Sequence, residues 1–225
     1  MIIRTILFFI AIGVWSPGIS AQDLKSDLSR MSESFKTSTA FNIEMKSQVI
    51  LQNGQQNVSE GSVYKNGADY YSHFNGITRF TTGDMSVAID GRNKFILIAD
   101  YRKEDQEQMQ MEMIQIGDTM DFSKYKVSVK ELNGIKEYTI HNIPGYKTVS
   151  MSFTPDHLLY QMIYYFNDGD ESMVSRIVLT YQNYHFDEKV RKKDLKRGDN
   201  YLIKGKDFTP LNELKQYRLV DNRKK

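Results

Sequence analysis

Cysteine is absent from the 225 residues. Its absence excludes a disulfide framework, a thiolate metal site, a thiol nucleophile and a lipidated N-terminal cysteine. Proline is scarce, with four residues, and tryptophan occurs once, at Trp15. Histidine is equally thin: His73, His141, His157 and His185 stand singly, without paired ligand spacing. The formal net charge of +2 sets up no field of the kind that draws nucleic acid, so no nucleic-acid partner is expected. No Gly-x-Ser-x-Gly elbow, His-Glu-x-x-His helix or phosphate-cradling glycine loop occurs, so no catalytic residue, metal or cofactor is assigned and the chain is read as a non-enzyme.

What is present begins with "MIIRTILFFIAIGVWSPGISAQ". Arg4 precedes an apolar run from Ile6 to Trp15 that breaks at Ser16-Pro17-Gly18, the layout of a secretory signal peptide. The run is too short to cross a hydrocarbon core of roughly 30 Å, and Ser20 and Ala21 offer a cleavage point before Gln22. Residues 1–21 are therefore expected to be a removed leader and residues 22–225 a single domain exported to a periplasm. Removing the leader leaves 29 basic against 28 acidic residues.

In "DLKSDLSRMSESF" the residues Leu24, Leu28, Met31 and Phe35 fall on one helical face, while Lys25, Asp27, Arg30 and Glu33 occupy the rest. An amphipathic helix follows, and its stripe must cover something. From Phe41 the period changes to two, with Phe41, Ile43, Met45, Val49 and Leu51 alternating with polar residues. The alternation recurs through Val63, Tyr70, Phe74, Met85, Val87 and Ile89, each run bounded by turn signals such as Asn-Gly or Asp-Gly. "KFILIAD" is continuously apolar from Phe95 to Ala99 and reads as a strand buried on both faces. Five further strands are expected between Tyr125 and Phe186, and "FTP" and "YRLV" as terminal pieces at a sheet edge. The sum is an α+β fold: one large curved antiparallel sheet of about 10–11 strands, an open half-barrel, with an N-terminal helix and a second, Met-rich helix as lid.

That second helix is read from "QMQMEMIQIGDTM", where Met109, Met113, Ile116 and Met120 share a stripe. Acidic residues at Glu104, Asp105 and Glu107 and a glycine at Gly117 suit its two ends. The methionines could fill ordinary core, or face an acyl ligand to which their unbranched thioethers adapt. Read as a strand, Met109, Met111 and Met113 would instead offer soft donors to Cu(I). All three readings remain open on the residues alone.

The leader, the helix "DLKSDLSRMSESF", the long strand, "EGSVYKNGADYY", and "SVAIDGRNKFILI" followed at once by a helical segment together resemble the periplasmic outer-membrane lipoprotein carriers, the LolA-like family. The resemblance spans most of the chain beyond the leader. It implies an open half-barrel whose concave face takes the acyl chains of a lipoprotein or another lipid under a helical lid. The family carries an Arg-Pro pair, whose arginine latches the lid, where this chain reads Asn66-Gly67, so the latch has no counterpart at that position.

The expected function is lipid or lipoprotein binding and carriage, by a monomer, with acyl chains held by Phe41, Ile43, Met45, Met85, Val87, Ile89, Phe95 and Leu97 under Met109, Met113 and Ile116. The strand residues share odd parity. Rival readings are a structural adaptor of an envelope machine with a self-filled groove and, more remotely, a Cu(I) handler. The basic run Lys189, Arg191, Lys192, Lys193, Lys196 and Arg197 is either a solvated connector or a docking patch for an envelope membrane-protein partner.

Overall fold

The computed structural model describes residues 17–83, 85–101, 121–167, 173–190 and 195–223. The first element is helix α1, Pro17–Thr37. It starts earlier than the amphipathic pattern predicts, at a proline whose fixed φ suits a first helical turn. Among the described residues no helix is long and apolar enough to cross a membrane.

Two meanders follow. The first comprises β1 (Ala40–Leu51), β2 (Gln56–Asn66), β3 (Asp69–Phe74), β4 (Ile77–Thr82), β5 (Met85–Asp90) and β6 (Phe95–Asp100). The second comprises β7 (Lys126–Leu132), β8 (Ile135–His141), β9 (Thr148–Phe153), β10 (Leu159–Tyr165) and β11 (Val174–Phe186). Asn75-Gly76 and Asn133-Gly134 take positive φ at both residues, which matches the strand twist in a two-residue hairpin turn. The meanders join through an antiparallel ladder between the two longest strands, β1 and β11, in which Met45 faces Tyr181 and Val49 faces Ile177.

The tail supplies β12 (Arg197–Gly198), β13 (Tyr201–Lys204), β14 (Asp207–Pro210) and β15 (Arg218–Asp221). Twelve strands form one sheet in the order β15-β6-β5-β4-β3-β2-β1-β11-β10-β9-β8-β7, and β12, β13 and β14 form a second, small sheet. The sheet is open, since β15 and β7 occupy opposite edges. The α+β half-barrel is thus the architecture found, with two refinements. "YRLV" does join the edge, but β15 runs parallel to β6. "FTP" belongs to the small sheet rather than to the edge.

Ladder partners share a face, so the register divides the large sheet into two surfaces. The helix face carries Phe41, Ile43 and Met45, then Val63, Phe74, Ile77, Ala88, Phe95 and Leu97. Its core includes Leu24, Leu28, Met31 and Phe35 of α1 together with Tyr138, Ile140, Met151, Phe153 and Met162. The tail face carries Tyr64, Phe80, Val87, Ile96 and Ile98, buried under Leu195, Ile203, Phe208 and Leu214. "KFILIAD" is therefore not buried on both sides: Ile96 and Ile98 are enclosed, while Phe95 and Leu97 are half-buried.

Gly61 lies on the helix face between Met45 and Phe74. A Cβ there would stand 2.5 Å from the His73 carbonyl oxygen and 2.7 Å from Cδ2 of Phe74. Because the nearer clash is with backbone, Gly61→Ala should lower stability by about 1–3 kcal/mol, read as a lower urea midpoint. An unchanged midpoint would mean that β2 and β3 can separate there without penalty.

Candidate functional site

Helix α1 meets the helix face with its apolar stripe, and Phe35 packs edge-on against Phe41 at 5.1 Å and against Phe186 at 5.5 Å between ring centroids. Such edge-to-face pairs add to the burial of the rings themselves. At the other end of the contact is a buried polar clamp. Asp27 of α1 accepts hydrogen bonds from the Tyr138 hydroxyl at 2.6 Å and from Nδ1 of His157 at 2.6 Å, with Lys136 Nζ at 3.5 Å. Arg30 donates from Nη1 to Nε2 of His157 at 2.6 Å. A guanidinium has only donors, so Nε2 must accept and Nδ1 must carry the proton given to Asp27.

The carboxylate of Asp27 is almost fully enclosed. Burial pushes its pKa up, but the hydrogen bonds from Tyr138 and His157 and the charge of Lys136 outweigh this and hold it below the usual carboxylate range. The same contact, added to burial, raises the Tyr138 hydroxyl. The sequence pattern placed Asp27 on the solvent side of the helix, and this is corrected. Its offsets of three from Leu24 and four to Met31 set it inside the apolar stripe, the signal from which its burial was legible. His157 carried no such signal, because its partner is brought to it only by the fold.

Beyond α1 the helix face continues as a strip that the described residues cover only in part. Tyr181 and Met45 are ladder neighbours; past Gly61 the same row continues with Phe74 and Ile77, and the next row holds Ala88 and Leu97. Met45, Phe74, Ile77, Leu97, Leu179 and Tyr181 are all half-buried. At the α1 end the strip is flanked by partly buried tyrosines. Burial pushes the Tyr181 hydroxyl up to about 12, with nearby Tyr164 adding to the effect, and burial also raises Tyr164. Tyr184 is raised by burial in the same way and donates its hydroxyl to the Leu159 carbonyl at 2.6 Å.

The predicted strand residues divide into three groups. Phe41 and Ile43 are on the helix face but are enclosed, 3% and 1% exposed, with Phe41 held under Phe35 of α1. Met45, Phe95 and Leu97 lie in the half-buried strip. Met85, Val87 and Ile89 do not share that surface: they pair with Thr82, Phe80 and Thr78 on the tail face, where the C-terminal segment covers them. The reason is register. Ile43 pairs with Val63, keeping parity, but every later ladder to β6 pairs odd with even positions, as Val87 with Ile98. Odd numbers therefore return to the helix face in β4 and β6 and leave it in β5. Met109, Met113 and Ile116, with the lid helix and the Cu(I) alternative, lie outside the described residues.

Two tail-face features were not read from the sequence. The small sheet packs on the large one through Tyr201, whose ring stacks on Phe80 at 4.8 Å and on Phe208 at 5.6 Å. Beside this stack a cavity of about 360 Å³ is lined by residues that include Tyr71, Thr78, Ile89, Asn200 and Leu214. Of the basic run, Lys189, Lys196 and Arg197 are exposed, and Arg191, Lys192 and Lys193 lie outside the described residues. Among the described residues no group of three or more His, Asp or Glu side chains could hold a metal ion.

No protein-family profile matches the chain, and no curated protein matches it. Solved structures to which it is similar include an uncharacterized conserved protein from Thermus thermophilus, at 11% identity and TM-score 0.46, covering 90% of this chain and 99% of that one. A LolA superfamily protein from Nitrosomonas europaea is similar at 12% identity and TM-score 0.34, covering 78% and 95% respectively. The lipoprotein LppX from Mycobacterium tuberculosis is similar at 11% identity and TM-score 0.37, covering 76% and 98%.

Proposed function

We propose that this chain is a non-enzymatic lipid-binding protein of the exported, periplasmic compartment, a carrier that holds an acyl chain along the helix-face strip. The observation that carries the reading is the difference between the two faces of one sheet. The tail face is closed by the protein's own Leu195, Ile203, Phe208 and Leu214, whereas Met45, Phe74, Ile77 and Leu97 extend the apolar core into a half-open row. Covering such a row with hydrocarbon gains roughly 25 cal/mol per Å² of apolar surface removed from water. The leader pattern supports the compartment. Of the strand residues expected at the ligand, Met45 forms the proposed contact, with Phe95 and Leu97 bordering the far end of the strip and Phe41 and Ile43 as the packed floor beneath α1.

The test uses the methyl ester of a dansyl-labelled fatty acid, so that hydrocarbon alone is probed. Met45→Asp should weaken binding by about tenfold or more, since a carboxylate would have to be desolvated against the chain. Val58→Asp, on the tail face and 52% exposed, should leave binding unchanged. Equal binding by both variants and the parent would place the acyl chain elsewhere. Absence of binding by the parent, with no lipid extracted from the purified protein, would instead favour the adaptor with a self-filled groove.

A further inference from the structure

Strands β2 to β6 and β15 divide their charges by face. The helix face carries Lys65, Arg79 and Arg218 against Asp90 alone, and the tail face carries Glu60, Asp69, Asp100 and Asp221. The one helix-face carboxylate is already engaged, for Asp90 accepts from the backbone N–H groups of Arg92 and Asn93 and from the Asn93 side chain. Lys65 sits at the α1 end, 5.9 Å above the Phe41 ring and 3.4 Å from the Ser38 carbonyl oxygen. Arg218 stands at the sheet edge, next to Phe95.

Arg79 is different. It projects from β4 between Ser72 and Ala88, beside Ile77 and in the same ladder row as Leu97, and among the described residues its guanidinium has no hydrogen-bond or ion partner. An acyl group attached through an uncharged ester or thioether would cover this charge and leave it unpaired, which costs binding energy. An acyl chain ending in an anion would pair it, and the planar guanidinium fork matches a carboxylate in two parallel hydrogen bonds. The other helix-face cations are remote. Lys65 and Arg218 lie two and three strands from β4, roughly 10 and 14 Å at the usual strand spacing, so one charge is offered to one head group.

We infer that the occupant of the strip is a long-chain fatty carboxylate, its head group on Arg79 and its chain running toward Met45 and Tyr181. From β4 to β11 the strip crosses four strand spacings, roughly 19 Å, which accommodates a long acyl chain laid across the strands. This rests on the acyl-binding reading above and narrows it, because it selects free fatty acid over lipid with an uncharged attachment.

The experiment measures binding of palmitate, methyl palmitate and lysophosphatidate to the full chain and to Arg79→Gln and Arg176→Gln, the last on the tail face of β11. Palmitate is expected to bind about tenfold more tightly than its methyl ester, the value of one charge-assisted contact. Arg79→Gln should abolish that preference by weakening palmitate, while the ester, relieved of an unpaired charge beneath it, binds no less tightly than to the parent, and Arg176→Gln should preserve the preference. Equal affinity for acid and ester in the parent, or a preference that survives Arg79→Gln, overturns the assignment of Arg79. Arg79-dependent preference for lysophosphatidate over palmitate overturns the carboxylate and points to a phosphate head. Failure of every ligand, ester included, removes the acyl-binding reading itself and is thereby distinguished from failure of the charge assignment.

Discussion

Asp27→Ala is expected to lower stability by about 3–5 kcal/mol, because it removes one partner from a buried, hydrogen-bonded ionic cluster. The Tyr138 hydroxyl and the Nδ1–H of His157 would both lose their acceptor, and Lys136 its counter-ion. Leu24, Leu28, Met31 and Phe35 hang on the same helix, so the loss should appear as detachment of α1 and faster amide exchange over residues 22–37. The effect also has a pH signature. The folded pKa of Asp27 lies below its unfolded value, so its contribution is complete above the ordinary carboxylate pKa of about 4 and drains away as pH falls through the folded value. Asp27→Asn keeps a carbonyl acceptor and loses the charge, so its deficit against the parent should be largest at neutral pH and shrink toward acid. A deficit of the same size at neutral pH and well below pH 4 would show that the clamp does not depend on the carboxylate.

Phe80→Ala should cost about 3–5 kcal/mol, the range for emptying the site of a fully buried aromatic ring. Phe80 has no exposed surface and forms the floor on which Tyr201 stacks. With the ring gone, the small sheet loses its main aromatic contact with the large one, and the bonds between Tyr201 and Lys204 should become accessible to protease before the rest of the chain. Binding at the helix-face strip should persist in whatever fraction remains folded, because the two clusters occupy opposite surfaces. Loss of acyl binding in parallel with folded Phe80→Ala would mean that the two faces are coupled through the sheet. A change in stability below about 1 kcal/mol would show that the space is refilled by neighbouring side chains.

Much of the fold was legible because its strands are regular and its hairpins short. Asn133-Gly134 reads as a turn from two residues, and Leu24, Leu28, Met31 and Phe35 read as a stripe from four. The small sheet was not legible. Arg197–Gly198, Tyr201–Lys204 and Asp207–Pro210 are too short to display a period, and the apolar residues that close the tail face, from Leu195 to Leu214, are scattered among charges. The grouping of residues by face was legible only in part. Met45, Phe95 and Leu97 do share a surface, but Met85, Val87 and Ile89 were assigned to it by counting odd positions, and residue number carries no face once hairpin registers alternate parity. The polar clamp needed long-range contact to be visible: Asp27 and His157 are 130 positions apart.

The ladder between β1 and β11 has a further meaning for the way the chain reaches this structure. Each meander can assemble from its own turns, since β2 pairs with β3 and β8 with β9 over a few intervening residues. Their union requires Phe41 to find Phe186 and Val49 to find Ile177, contacts whose loop closure is among the most costly in the molecule. Until that happens the two longest strands present bare edges to any neighbour. The middle of the finished sheet is thus the last seam to be sewn, and assembly is most exposed to misjoining with another chain where the native structure is most continuous.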